Sequence, residues 1–149
     1  MTFVVREVSA SHTHELRCRV LRDGDPDAEV TWAGDDDADT VHLAVISSTE
    51  RIIGVSTWLR SPDPLAPDVA AVQLRGMASD PEATGRGVAT RLVRAGIEHC
   101  RNVGARRLWA NARVTAVGFY ESVGFEVQGP VFVTEATGLA HRHMHLAIS

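Results

Sequence analysis

The stretch Asp80-Pro81-Glu82-Ala83-Thr84-Gly85-Arg86-Gly87-Val88-Ala89 decides the reading of this chain. It lies between an apolar, strand-like run from Ala70 to Ser79 and an amphipathic helical pattern from about Gly87 to Val103. Two glycines let the backbone approach a ligand closely, and the helix behind them offers unpaired N–H groups at its positive dipole end. A strand, a glycine turn and a helix start in this order form an anion site of the kind that holds phosphates.

Two other readings of the glycines fall away. A nucleoside-triphosphate loop requires Lys-Ser or Lys-Thr after the last glycine, and Val88-Ala89 stands there. A dinucleotide fold places its glycines after the first strand, with an acidic residue about 20 positions on. Here the glycines come late, and Arg106 and Arg107 occupy that region. A plain tight turn remains the competing reading.

Outward from the loop, the pattern predicts strands at Phe3–Val8, Val41–Ser47, Arg51–Leu59, Ala70–Ser79, Arg106–Ala112, Glu126–Thr134 and Leu139–Ile148. Helices are expected at Thr13–Leu21, Gly87–Val103 and Thr115–Val123, the last closed by Gly124, with a weak one at Glu29–Ala33. Ser61–Asp68 carries three prolines and reads as a loop. The order is β-α-(α)-β-β-β-α-β-α-β-β. It implies an α/β (α+β) domain with a mixed sheet, parallel around the glycine loop and antiparallel at the hairpins.

Size and charge bound the function. A chain of 149 residues is one domain, 1–149, and buries enough surface to fold without staples. Its net charge of −4 speaks against a nucleic-acid partner. No apolar run is long enough for a bilayer, and the start runs straight into strand alternation, so the cytoplasm is the expected location. Cys18 and Cys100 read as small buried hydrophobes rather than a disulfide.

Two segments resemble the GNAT superfamily of acyl-CoA-dependent N-acyltransferases. The first is Leu74 to Leu92, where the family's phosphate-loop pattern falls on Thr84, Gly87 and Ala89; Thr84 stands where the family usually has Gln or Arg. The second is Leu108 to Phe125, with Asn111 and the run Phe119-Tyr120-Glu121-Ser122-Val123-Gly124-Phe125. Order and spacing of the two match the family, and the element order matches over nearly the whole chain.

The resemblance implies an N-acetyltransferase using acetyl-CoA as co-substrate and no metal. It assigns cofactor binding to Met77, Ala78, Ser79, Thr84, Gly85, Arg86, Gly87, Val88, Ala89, Thr90, Asn111 and Phe119. Backbone N–H groups would hold the pyrophosphate, the Met77–Ser79 edge would pair with the pantetheine arm, and Gly76 would start the bulge that parts the strands. Arg86 and Arg91 are candidates for further phosphate charge. Tyr120, the single tyrosine, would be the general acid.

The acceptor would be a small-molecule amine or a peptide, and a homodimer is possible. The alternatives are a catalytically silent acyl-CoA sensor and a protein lysine or N-terminal acetyltransferase. Where several relatives carry a basic Glu, this chain has Gln73, so the base is open. His141, His143 and His145 alternate on one strand face, and His141 is the candidate base or substrate contact among them. His42 reads as a structural histidine. The acidic stretch Asp23–Asp39 reads either as a solvated loop or as a wall attracting a cationic amine. Trp32 and Trp58 are candidates for that wall or for the core.

Overall fold

The computed structural model describes residues 2–149. Seven strands form one sheet: β1 (Val4–Val8), β2 (Val41–Ile46), β3 (Ile52–Arg60), β4 (Ala71–Ser79), β5 (Arg107–Arg113), β6 (Glu126–Val133) and β7 (Ala140–Ala147). Their spatial order is β1-β2-β3-β4-β5-β7-β6. All neighbours are antiparallel except β4 and β5, which are joined through helix α2 (Val88–Asn102) and run parallel. Helix α3 (Val117–Ser122) connects β5 to β6.

The parallel pair is short. Ala71, Val72 and Gln73 pair with Arg107, Leu108 and Trp109, and no later rung forms. From Leu74 onward the strands diverge, although β4 continues to Ser79 and β5 to Arg113. A bulge in β4 accompanies this opening. Val55 pairs with Ala78 and Thr57 with Arg75, so Gly76 and Met77 together face Ser56. Gly76 adopts φ +62°, which glycine tolerates and side-chain-bearing residues resist.

Helix α2 lies closely on β3, and two glycines make room for it. A Cβ at Gly96 would sit 2.0 Å from the Trp58 ring, and one at Gly54 would sit 2.4 Å from Val88 Cγ1. Trp58 is therefore core, fully buried beside Leu92 and Val93, and its indole N–H donates to Ser56 Oγ at 2.8 Å.

Several expectations are corrected. The first helical run starts earlier, as a 3₁₀ turn (Ala10–Thr13), then α1 (His14–Leu16), then a π turn (Arg17–Leu21). The Thr13 hydroxyl tightens the entry by donating to the Ala10 carbonyl at 2.7 Å. No helix forms at Glu29–Ala33; that stretch folds around the fully buried Arg17, which takes the Val30 carbonyl at 2.8 Å. Strand β5 runs one residue further, to Arg113, because its antiparallel ladder with β7 continues to His141. A 3₁₀ turn (Val114–Ala116) precedes α3 and displaces its start from Thr115 to Val117. Cys18 and Cys100 are both free thiols, Cys100 buried and Cys18 only partly so.

Candidate active site

The open end of the β4–β5 pair is flanked by two recesses. The larger, about 480 Å³, is lined on the strand side by Leu74, Arg75, Gly76 and Met77 of β4 and Asn111 and Arg113 of β5. Tyr120 of α3 and His141 of β7 close it, and Leu21, Arg22 and Trp32 form its far wall. The smaller, about 300 Å³, is lined by Ser79, Thr84, Gly85, Gly87, Val88, Ala89, Thr90 and Phe119. The two recesses share no lining residue.

The glycine turn owes its shape to Asp80. Its buried carboxylate accepts the Glu82 N–H at 3.0 Å and pairs with Arg19 at 3.2 Å and Arg51 at 3.6 Å. The Glu82 N–H and then Arg19 hold its pKa below the usual carboxylate range. Thr84 donates both its N–H and its hydroxyl to the Pro81 carbonyl, and the Arg86 N–H donates to Ala83.

Gly85 (φ +81°) and Gly87 (φ +77°) then turn the chain into α2 with open space around each Cα. The first helical hydrogen bond runs from the Arg91 N–H to the Gly87 carbonyl at 3.0 Å. The N–H groups of Val88, Ala89 and Thr90 precede it and have no intrahelical acceptor. They carry the positive end of a 15-residue helix dipole.

Two candidate residues stand apart from both recesses. The Ala78 side chain is buried with Leu16 and Val55, so only its backbone is placed at the strand edge. Arg86 lines a third recess, with Arg51, Asp80 and Glu82, on the other flank of the turn. Arg91 does not face a ligand site: it donates to the Phe3 carbonyl at 2.8 Å and lies 5.4 Å from the Phe3 ring centroid.

Tyr120 is buried and held by edge-to-face packing on Phe119 (5.4 Å) and Phe125 (5.2 Å). Burial pushes its phenol well above the ordinary tyrosine range, so it stays protonated near neutrality. His141 stacks on Phe132, and its Nδ1 lies 2.8 Å from the Leu139 carbonyl. A carbonyl only accepts, so Nδ1 carries the hydrogen, and in the neutral ring Nε2 keeps the lone pair. Gln73 sits on the last parallel rung, outside the lining of the large recess.

The three alternating histidines have different fates. His143 Nε2 lies 2.9 Å from Oδ2 of Asp63, a fully buried carboxylate delivered by the proline loop. Arg107 Nε donates to the same oxygen at 2.6 Å, and the Leu65 N–H to the other at 2.9 Å. Burial raises the Asp63 pKa, but Leu65, Arg107 and His143 together outweigh it and hold the carboxyl ionised below its usual range. No sequence signal points to this carboxylate: Asp63 is 80 positions away, in a segment readable only as loop. His145 is half-buried, and burial lowers its pKa. His42 is structural, as expected, bonding Thr57 Oγ1 at 2.8 Å and the Asp35 carbonyl at 2.9 Å.

The acidic stretch divides as well. Seven of its carboxylates are exposed, but Asp35 is buried and binds Arg17 in two-point fashion at 2.6 and 3.2 Å and Arg75 at 2.9 Å. The recess it borders is cationic: Arg22, Arg75 and Arg113 line it and no carboxylate does. Trp32, not Trp58, belongs to the far wall, with the Arg17 guanidinium 3.8 Å above its ring.

Residues 8–125 match the Acetyltransferase (GNAT) family. Over 128 residues the chain is 25% identical to the uncharacterized N-acetyltransferase YitI of Bacillus subtilis, covering 86% of this chain and 85% of that one. Among solved structures it superposes on an acyl-CoA N-acyltransferase from Pseudomonas aeruginosa with a TM-score of 0.77 at 16% identity, covering 98% and 100% of the two chains. An aminoglycoside 6'-N-acetyltransferase complexed with coenzyme A gives 0.78 at 10% identity, covering 98% and 97%. The chain belongs to the GNAT family of N-acetyltransferases and has its acyl-CoA N-acyltransferase fold.

Proposed function

We propose that this protein transfers an acetyl group from acetyl-CoA to a primary amine by direct attack of the amine on the thioester. The observation that carries the reading is the early end of the β4–β5 ladder at Gln73 and Trp109, with a glycine turn and an open helix N-terminus beyond the freed β4 edge. The freed edge, Met77, Ala78 and Ser79, pairs with the amide-rich pantetheine arm. The pyrophosphate lies on the N–H groups of Gly85 and Gly87 to Thr90, with Thr84 bordering it. Asn111 and Phe119 flank the arm. Coenzyme A in the aminoglycoside enzyme of the same fold supports this donor.

In the reaction the amine nitrogen forms a bond to the carbonyl carbon and the carbon–sulfur bond breaks, its electron pair leaving on sulfur. Tyr120, protonated near neutrality, gives its proton to the departing thiolate and is restored by the second proton that the nitrogen sheds as the amide forms. The attacking amine starts as an ammonium, and His141 Nε2, left with its lone pair by the Nδ1 bond to Leu139, takes that proton. Tyr120 and His141 line the same recess, which supports their reading as acid and base of one reaction.

The free thiols and the lack, among the described residues, of a helix long and apolar enough to cross a membrane support work in the cytoplasm. The test has two parts. Acetyl-CoA raises the melting temperature by mass action, and free thiol appears when amines are added. Stabilisation without thiol release from any amine leaves an acyl-CoA sensor; no stabilisation refutes the reading.

A further inference from the structure

The large recess has a chemistry that the donor does not explain. Four guanidinium groups meet there. Arg22, Arg75 and Arg113 line the recess, and Arg17 lies directly behind the Trp32 ring, which also has Arg22 at 5.5 Å and Arg75 at 5.8 Å. A single carboxylate, Asp35, belongs to this cluster, and it is already shared by Arg17 and Arg75. The cluster therefore holds an excess of positive charge inside a chain whose net charge is −4.

Arg22 and Arg113 are the uncompensated pair. Among the described residues neither forms an ion pair with a carboxylate. Both donate instead to one acceptor, the Leu21 carbonyl, at 3.0 and 2.8 Å. Burial first, and then repulsion from Arg113 and Arg17, lowers the Arg22 pKa. Two like charges converging on a neutral oxygen are unfavourable by themselves, and an anion between them relieves the repulsion. Guanidinium forks match the oxygens of carboxylates and phosphates. The neighbouring acidic side chains from Asp23 to Asp39 are no substitute, since all but Asp35 are exposed.

We infer that the acceptor of this enzyme is an amine carrying an oxyanion, a carboxylate or a phosphate, which Arg22 and Arg113 grip while the amine faces Tyr120 and His141. The inference rests on the transferase reading above and adds the acceptor's chemical class. The donor's own phosphates are a poor occupant, because the glycine turn lines a separate recess with no residue in common. The cationic wall also assists the chemistry: nearby positive charge disfavours the ammonium form, so the acceptor loses its proton to His141 more readily. The same wall repels polyamines.

The test is thiol release from matched amines. L-Amino acids are compared with their decarboxylated amines, O-phosphoethanolamine with ethanolamine, and ethylenediamine serves as the dication. The expected kcat/KM favours the oxyanion-bearing member by about tenfold to a hundredfold, as fits charge-assisted hydrogen bonds, and ethylenediamine is poorest. The better of the carboxylate and phosphate arms identifies the oxyanion. In Arg22→Gln and Arg113→Gln the preference drops toward unity, mainly through acceptor KM, while acetyl-CoA still raises the melting temperature. Equal or better turnover of the uncharged amines, or an undiminished preference in both variants, overturns the inference and leaves the transferase reading standing. Thiol release from no amine of any set overturns the transferase reading, and the inference with it.

Discussion

Replacing Asp35 by Asn tests the packing on which the far wall of the cleft is built. Oδ2 accepts from Arg17 Nη1 at 2.6 Å and from the Trp32 N–H at 2.9 Å, while Oδ1 accepts from Arg17 Nη2 at 3.2 Å and Arg75 Nη2 at 2.9 Å. Each oxygen faces two donors, so an amide NH₂ placed on either side meets N–H groups head on. The substitution also strips the counter-charge from Arg17, which is fully buried and keeps hydrogen bonds to Val30 and Thr57 and its stacking on Trp32. Breaking a buried pair in this way costs about 3–5 kcal/mol.

The pKa of Asp35 gives a second figure. Burial raises the Asp35 pKa, but Arg17, the Trp32 N–H and Arg75 more than reverse this and bring it from 3.8 to about 2. That depression corresponds to about 2 kcal/mol for the charge alone, smaller than the mutational loss because a protonated carboxyl keeps both oxygens. A depressed folded-state pKa stabilises the fold fully above about pH 4, and the contribution fades as pH falls toward 2. Urea denaturation of wild type and Asp35→Asn should thus differ by about 3–5 kcal/mol at pH 7, with a melting point lower by ~6–20 °C. The difference should shrink below pH 4. The exposed neighbour Asp36→Asn should stay within about 0.5 kcal/mol of wild type. A loss under about 1 kcal/mol for Asp35→Asn, or a gap that does not narrow in acid, refutes the reasoning.

Three further outcomes follow from the site. Tyr120→Phe should lower kcat by about 10²–10⁴-fold with acetyl-CoA affinity nearly unchanged, measured by stopped-time thiol release and calorimetry; an unaltered kcat removes Tyr120 from the reaction. His141→Gln should lower kcat by a similar ~10²–10⁴-fold at neutral pH, and a variant as fast as wild type shows that another group or water takes the proton. Gly76→Ala puts a Cβ 2.7 Å from Trp32 Cζ3 and 3.1 Å from Arg17 Nε at φ +62°. The backbone strain alone is about 1–2 kcal/mol, and the displaced indole should raise acceptor KM more than acetyl-CoA KM, which steady-state kinetics will show or deny.

The proposed donor half of the site was legible before folding because its chemistry is local. The glycine turn and the first turn of α2 are contiguous in sequence, and the N–H groups at issue belong to the backbone, so neither the side chain of Thr84 nor any distant residue alters the pattern. Strand alternation and helix periodicity likewise placed all seven strands and the long helix, with errors at ends that depend on partners. The end of β5 is set by its ladder to β7, and the first helical run is shaped by the burial of Arg17. The failed helix at Glu29–Ala33 is the same effect, since that segment satisfies Arg17 and Asp35 rather than its own ladder.

Sequence by itself thus determined the order of elements and the glycine turn before α2, because each is encoded by neighbouring residues with a fixed period or a fixed turn geometry, while Tyr120 became a candidate acid only through the family resemblance. Tertiary structure alone decided the acceptor side. Arg17, Arg22, Trp32, Arg75 and Arg113 come from three separated segments, and only folding reveals that two of the arginines claim Asp35 and two are left without a carboxylate. A stretch rich in Asp reads either as a solvated loop or as an attractor for cations, and folding decides for the loop, since all but Asp35 of its carboxylates lie in solvent, where water screens them. Charge acts through distance and burial, and neither quantity is written in the order of residues along a chain.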